Sequence, residues 1–149
     1  MVADEAGSLT FRAQTSDDLS FIMDSWASSY FKGSGAHKYL TSDEFHAFHR
    51  PIRERFFSKP NTAVIVCTTD DDPWLILGWI AVEQIPSGLI CQYIYVKSAF
   101  KLQGIAEQLI KRAIPSAPVF YTHLTERAAR IMSKKHDNFG AWKHIPHLV

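Results

Sequence analysis

The run Tyr93-Ile94-Tyr95-Val96-Lys97-Ser98-Ala99-Phe100-Lys101-Leu102-Gln103-Gly104-Ile105-Ala106 carries the most structural information in this chain. It reads as an apolar strand ending at Val96, a short loop, and a helix that opens at Gly104. The first turn of such a helix has unpaired main-chain N–H groups and the positive end of the helix dipole. Small residues at Gly104 and Ala106 let an anion come close to those amides, and Lys101 adds a positive charge. The segment Lys101 to Ala106 is therefore a candidate anion cradle. An ordinary strand-to-helix joint fits the same residues, because a glycine near a helix start is common.

Upstream of that run the pattern is a meander. Thr62 to Thr68 is rich in β-branched residues, Trp74 to Ile85 is a longer apolar strand, and Leu89 to Val96 is the third. The short turns Asp70-Asp71-Asp72-Pro73 and Pro86-Ser87-Gly88 make these neighbours antiparallel. Before them, Leu9 to Ala13 alternates as a short strand. Asp18 to Tyr30 places Leu19, Ile22, Met23 and Trp26 on one helical face. Thr41-Ser42-Asp43-Glu44 has the pattern of a capping box, opening a second helix in which Pro51 predicts a kink or a break. Downstream, Gly104 to Ala113 is helical, Val119 to Leu124 is a strand, Glu126 to about Lys135 is a helix capped by Thr125, and an extended piece follows Phe139. The string is β-α-α-β-β-β-α-β-α-β, and its last third implies a crossover with parallel pairing.

The chain has 149 residues, 46% apolar and 21% charged, which fits one globular domain with a core of its own. A formal net charge of +1 gives no electrostatic case for nucleic acid as a partner. No apolar run approaches a membrane span, and Met1 to Ser8 has no apolar signal core, so the expected place is the cytoplasm. Cys67 and Cys91 lie in apolar runs, outside any metal-ligand spacing, and read as reduced core thiols.

The loop and helix start resemble the coenzyme A motif of the GNAT acetyltransferases, in which Gln or Arg, two variable residues, Gly, any residue, and Gly or Ala follow a strand ending in Val. Val96, Gly104, Ile105 and Ala106 stand in the matching places. Lys101 departs from the favoured Arg or Gln, keeping the charge and losing the fork. The resemblance implies an α/β (α+β) fold with a mixed sheet, antiparallel N-terminal strands, helices on both faces, and a parallel strand pair that splays open. It implies acetyl-CoA as cofactor, held by Ile94, Tyr95, Val96, Lys101, Leu102, Gln103, Gly104, Ile105, Ala106 and Thr125. The Val96 N–H would face the acetyl carbonyl as it gains negative charge.

The same resemblance implies acetyl transfer to a primary amine of a small molecule or a protein. An attacking amine must lose a proton, and Glu83 on its apolar strand is the candidate base. A glutamate on the solvent face near a strand end is the plain alternative. Where many members carry a Tyr to protonate the leaving thiolate, this chain has Met132. Ser133, Tyr121 or His123 would substitute, with His123 the best placed to titrate near neutral pH. That histidine also reads as structural. An acyl-CoA-binding module with weak or no turnover is the alternative function. Trp26 and Tyr30, in an aromatic and His-rich stretch that runs to His49, are candidates for the acceptor side through stacking or cation–π contact. A core role fits that stretch equally. His46 and His49 lack a completing carboxylate, so no metal is expected. Against the closing hairpin that the resemblance implies, the tail after Phe139 is short, so the expectation is a missing last strand or an exposed sheet edge, either of which a second copy of the chain would cover.

Overall fold

The computed structural model describes residues 8–100, 104–114, 119–123 and 143–145. Its centre is a six-stranded sheet in the order β1 to β6: β1 (Leu9–Ala13), β2 (Thr62–Thr69), β3 (Gly78–Ile85), β4 (Gly88–Val96), β5 (Val119–Tyr121) and β6 (Lys143–His144). The first four strands are antiparallel neighbours, and β4–β5 and β5–β6 are parallel. The mixed sheet expected from the sequence is thus present, with the change of direction at β4. Three α-helices are described: α1 (Leu19–Gly33), α2 (Ser42–Ser58) and α3 (Ile105–Ala113).

Alternation along the strands sends side chains to two cores. Ile80, Val82, Cys91 and Val96 pack under α3 with Ile105, Leu109 and Ile110. Val64, Val66, Trp79, Ala81 and Tyr93 pack under α1 and α2 with Ile22, Trp26 and Phe56. Helices therefore cover both faces. Both cysteines are free and buried, and burial pushes the Cys67 thiol up to about 11.

Three expectations change. The helix at Pro51 neither breaks nor splits: α2 runs unbroken from Ser42 to Ser58. Phe45 and His49 before the proline and Arg53 and Phe56 after it are all buried, and burying that face outweighs the one missing N–H bond. Its N-terminus forms the expected capping box, with the Glu44 N–H donating to Thr41 Oγ1 at 3.2 Å and the Thr41 N–H donating to Glu44 Oε1 at 2.8 Å. The strand expected from Trp74 begins instead at Gly78, because Trp74 and Leu75 belong to a turn closed onto Asp72. The strand expected over 119–124 pairs only through Tyr121. The helix expected over 126–135 lies outside the described residues. No described helix is long and apolar enough to cross a membrane.

Candidate functional site

The site begins where β4 and β5 part. Their pairing covers Leu89–Val119, Ile90–Phe120 and Cys91–Tyr121, and then stops, while β4 continues to Val96. In the ladder with β3, Ala81 faces Tyr93 and Val82 faces Cys91, so Gln92 is an extra residue on β4. A bulge of this kind bends its strand and turns it from its neighbour. Both strands run the same way, so the opening lies at their C-terminal ends, where open α/β sheets place their ligands.

The main chain along this opening has a definite direction. The Lys97 N–H donates to the Leu77 carbonyl at 2.8 Å. Gly78 and Val96 are therefore a pair without mutual hydrogen bonds, and Ile80 and Ile94 likewise. The N–H and C=O groups of Ile94 and Val96 point away from β3, toward the edge that no described residue pairs. Tyr95 points its own toward β3 and lends the opening only its half-buried ring, which meets Phe21 of α1 edge-on at 5.9 Å.

The helix beyond the strand supplies the second element. Gly104 caps α3 with φ +76°, and no described atom beyond its chain neighbours lies within 4 Å of where a Cβ would stand. The first main-chain bond of α3 runs from the Gln108 N–H to the Gly104 carbonyl. The amides of Ile105, Ala106 and Glu107 thus have no partner within the helix. Gly78 fixes how close this helix start comes to the sheet. A Cβ there would stand 2.6 Å from the Tyr95 carbonyl oxygen and 3.2 Å from Cγ2 of Ile105. Only a glycine lets β3, β4 and α3 meet at that point.

On the α1/α2 side of the opening lies a buried polar cluster. Glu83 is buried, and its carboxylate accepts from Lys59 Nζ at 3.1 Å and from Gln92 Nε2 at 3.2 Å. Thr122 Oγ1 donates to Gln92 Oε1 at 2.6 Å and meets His123 Nδ1 at 2.9 Å. His123 Nε2 lies 2.9 Å from His49 Nε2, and Arg53 Nε donates to His49 Nδ1 at 3.0 Å. Burial lowers the basicity of both rings, His123 to about 4 and His49 to about 3, with the charge of Arg53 adding to the effect on His49.

Set against the sequence, Glu83 is strand-borne and buried rather than solvent-facing. His123 does not titrate near neutral pH: its apolar surroundings disfavour the imidazolium, and His49 occupies its Nε2. Trp26 has no exposed surface. It packs between Tyr93, His49 and His123 and belongs to the core, so it does not face an acceptor. Tyr30 is half-buried, its ring centre 4.8 Å from that of His123. Lys101, Leu102, Gln103, Thr125 and Met132 lie outside the described residues. Arg53, Gln92 and Thr122 went unnoticed in the sequence. Arg53 stands four residues after His49 on one helix face, which was the readable signal. Gln92 and Thr122 are single polar residues beside apolar runs, and nothing local announces that they meet.

No family model and no curated protein matches the sequence. The fold does match solved structures. A GCN5-related N-acetyltransferase from Ralstonia eutropha JMP134 superposes with a TM-score of 0.58 at 16% identity, covering 83% of this chain and 88% of that one. The PaiA N-acetyltransferase from Thermoplasma acidophilum, solved in complex with coenzyme A, gives 0.54 at 15% identity over 71% and 69%. This chain has the GNAT N-acetyltransferase fold. A ribosomal-protein-alanine N-acetyltransferase from Brucella melitensis biovar Abortus 2308 gives 0.51 at 13% identity over 95% and 83%. The GNAT fold accounts for the sheet order and the parted β4–β5 pair. At these identities it says nothing of what this chain acts on.

Proposed function

We propose that this GNAT-fold chain binds acetyl-CoA and transfers its acetyl group to a primary amine of a small molecule or a protein. The observation that carries the reading is the conjunction of two features. One is the β4 edge, unpaired beyond Cys91 among the described residues, with the Ile94 and Val96 amides facing an opening. The other is the positive-φ Gly104 at the head of α3, clear of the described residues around it. The first fits a linear arm with amide groups, bound in the manner of an added strand. The second fits a diphosphate. The neighbour solved with coenzyme A supports the same ligand.

Bound acetyl-CoA would supply an activated thioester. In this reading the Val96 N–H donates to the acetyl oxygen as negative charge develops there. The loop Lys101 to Ala106 holds the pyrophosphate through its main-chain amides, Leu102, Gln103, Gly104 and Ile105 among them, with Lys101 adding a positive charge, and Thr125 stays on the coenzyme side. Tyr30 lines the acceptor side. Glu83 takes the amine proton, directly or through water, because its carboxylate is a buried acceptor on the α1/α2 face.

Thermal melting with acetyl-CoA, CoA and NAD tests the binding: the two coenzyme A forms should raise the melting temperature and NAD should not, since only a ligand of the folded state stabilises it. No shift with either form removes the reading. Release of free thiol with a panel of amines then tests transfer. A coenzyme-binding module with little turnover is the second reading. It is favoured because Glu83 and His123 already have acceptor atoms committed to Lys59, Gln92 and His49. Coenzyme affinity without thiol release would select it.

A further inference from the structure

We propose that Arg53, His49, His123, Thr122, Gln92 and Glu83 form one hydrogen-bonded chain of a single polarity that clasps the apex of the β4–β5 opening, and that Thr122 and His49 are positioning residues for the reacting end of the coenzyme arm. The positioning role rests on the acetyl-CoA reading; the polarity does not.

The polarity follows from both ends independently. At one end the Glu83 carboxylate, paired with Lys59, only accepts. Gln92 must then turn its NH2 toward Glu83 and its carbonyl toward Thr122. The Thr122 hydroxyl donates its one hydrogen to that carbonyl and must accept from His123, so His123 carries its proton on Nδ1 and presents a lone pair at Nε2. At the other end the Arg53 guanidinium only donates, so His49 has its lone pair at Nδ1 and its proton on Nε2. The two derivations meet at one contact, with the Nε2–H of His49 donating to Nε2 of His123 at 2.9 Å. No second proton fits. A hydrogen added to His123 Nε2 would face the N–H of His49, and one added to His49 Nδ1 would face Arg53.

The placement gives the chain its role. Cys91 and Tyr121 are the last residues of β4 and β5 to pair through the main chain. Gln92 and Thr122 are the next on each strand, and there a side-chain bond of 2.6 Å takes over from the ladder. That bond fixes where the opening begins. An arm anchored by its diphosphate at Gly104 and running along β4 ends against this clasp. The width and depth of the opening at its inner end are therefore set by Gln92 and Thr122. Those two residues are held in turn by the histidine pair tied to α2.

The test has two arms. Long-range proton–nitrogen NMR on 15N-histidine protein at pH 7, with His49→Gln and His123→Asn to assign signals, should show neutral His49 protonated on Nε2 and neutral His123 protonated on Nδ1. A charged ring, or the opposite tautomer at either position, overturns the polarity. In the second arm, Thr122→Val should release the His123 tautomer and lower kcat about tenfold or more, with CoA affinity changed less than about threefold, because reacting-group geometry and not anchoring is lost. Thr122→Ser should restore both. A folded Thr122→Val protein with wild-type turnover overturns the positioning role and leaves the coenzyme reading intact. A wild-type protein that binds acetyl-CoA but releases no thiol with any amine also overturns the role. A wild-type protein that does not bind acetyl-CoA removes the coenzyme reading itself, and the role with it.

Discussion

Gly78 shows how one residue without a side chain shapes a site some way along the strand. What a Cβ there would meet at 2.6 Å is a main-chain oxygen, which cannot swing aside as a flexible side chain would. Gly78→Ala must push β4 outward at Tyr95–Val96 or lift α3 at Ile105. The expected cost is about 1–3 kcal/mol in chemical denaturation, together with weaker coenzyme binding. A variant with unchanged midpoint would mean that the strands separate freely at this point. Gly104 differs, since no described residue crowds it. Gly104→Ala should cost about 1–2 kcal/mol through its left-handed backbone alone, and a methyl group would then stand where a diphosphate is proposed to sit.

At the scale of elements, β4 serves two partners with alternate residues. Tyr93 and Tyr95 turn their main-chain groups to β3, while Ile94 and Val96 turn theirs to the opening. This separates stability from chemistry in one experiment. Val96→Pro removes an N–H that the β3 ladder does not use, so melting should change little. If that N–H serves the developing oxyanion, kcat should fall by about a hundredfold to a thousandfold. Equal turnover in a folded Val96→Pro protein would take Val96 out of the mechanism. For α2, the capping box predicts that Thr41→Ala lowers stability by about 1 kcal/mol, measured by denaturant midpoint, with no effect on turnover.

At the scale of the whole molecule, the two buried histidines make folding stability depend on pH. In the folded chain His49 is protonated only near 3 and His123 near 4, against 6.5 for an ordinary histidine. After burial itself, His49 is held down by His123, Arg53 and His46, and His123 by His144 against an opposing hydrogen bond to the Gln92 main chain. The unfolded chain therefore binds more protons than the folded one below pH 6.5. Stability is fully present above that value and is lost as the pH falls toward 4, at up to about 1.4 kcal/mol per pH unit for each ring. Melting temperatures from pH 7.5 to 4.5 should show this loss, and His49→Gln should flatten it. A melting temperature that holds steady across the range would mean that the rings are not buried neutral.

Much of the architecture was readable along the chain because its causes are local. Alternation marked β1, β-branched content marked β2, short polar turns marked the antiparallel meander, and Thr41-Ser42-Asp43-Glu44 marked the start of α2. The strand–loop–helix run ending at Ala106 marked the helix start and its free amides, since a strand end, a glycine and a helix start act within a dozen residues of one another, while the opening beside it was implied by the resemblance that the run carries. Where α2 meets Pro51, and where β3 begins, local signals were overruled by burial of a helix face and by a turn closed on Asp72. The polar chain was invisible. It joins residues 49 and 53 to 83 and to 92, 122 and 123, and no pattern in the sequence couples positions that far apart. Folding decides such contacts, because a buried donor must find an acceptor wherever the packed sheet and helices bring one within reach.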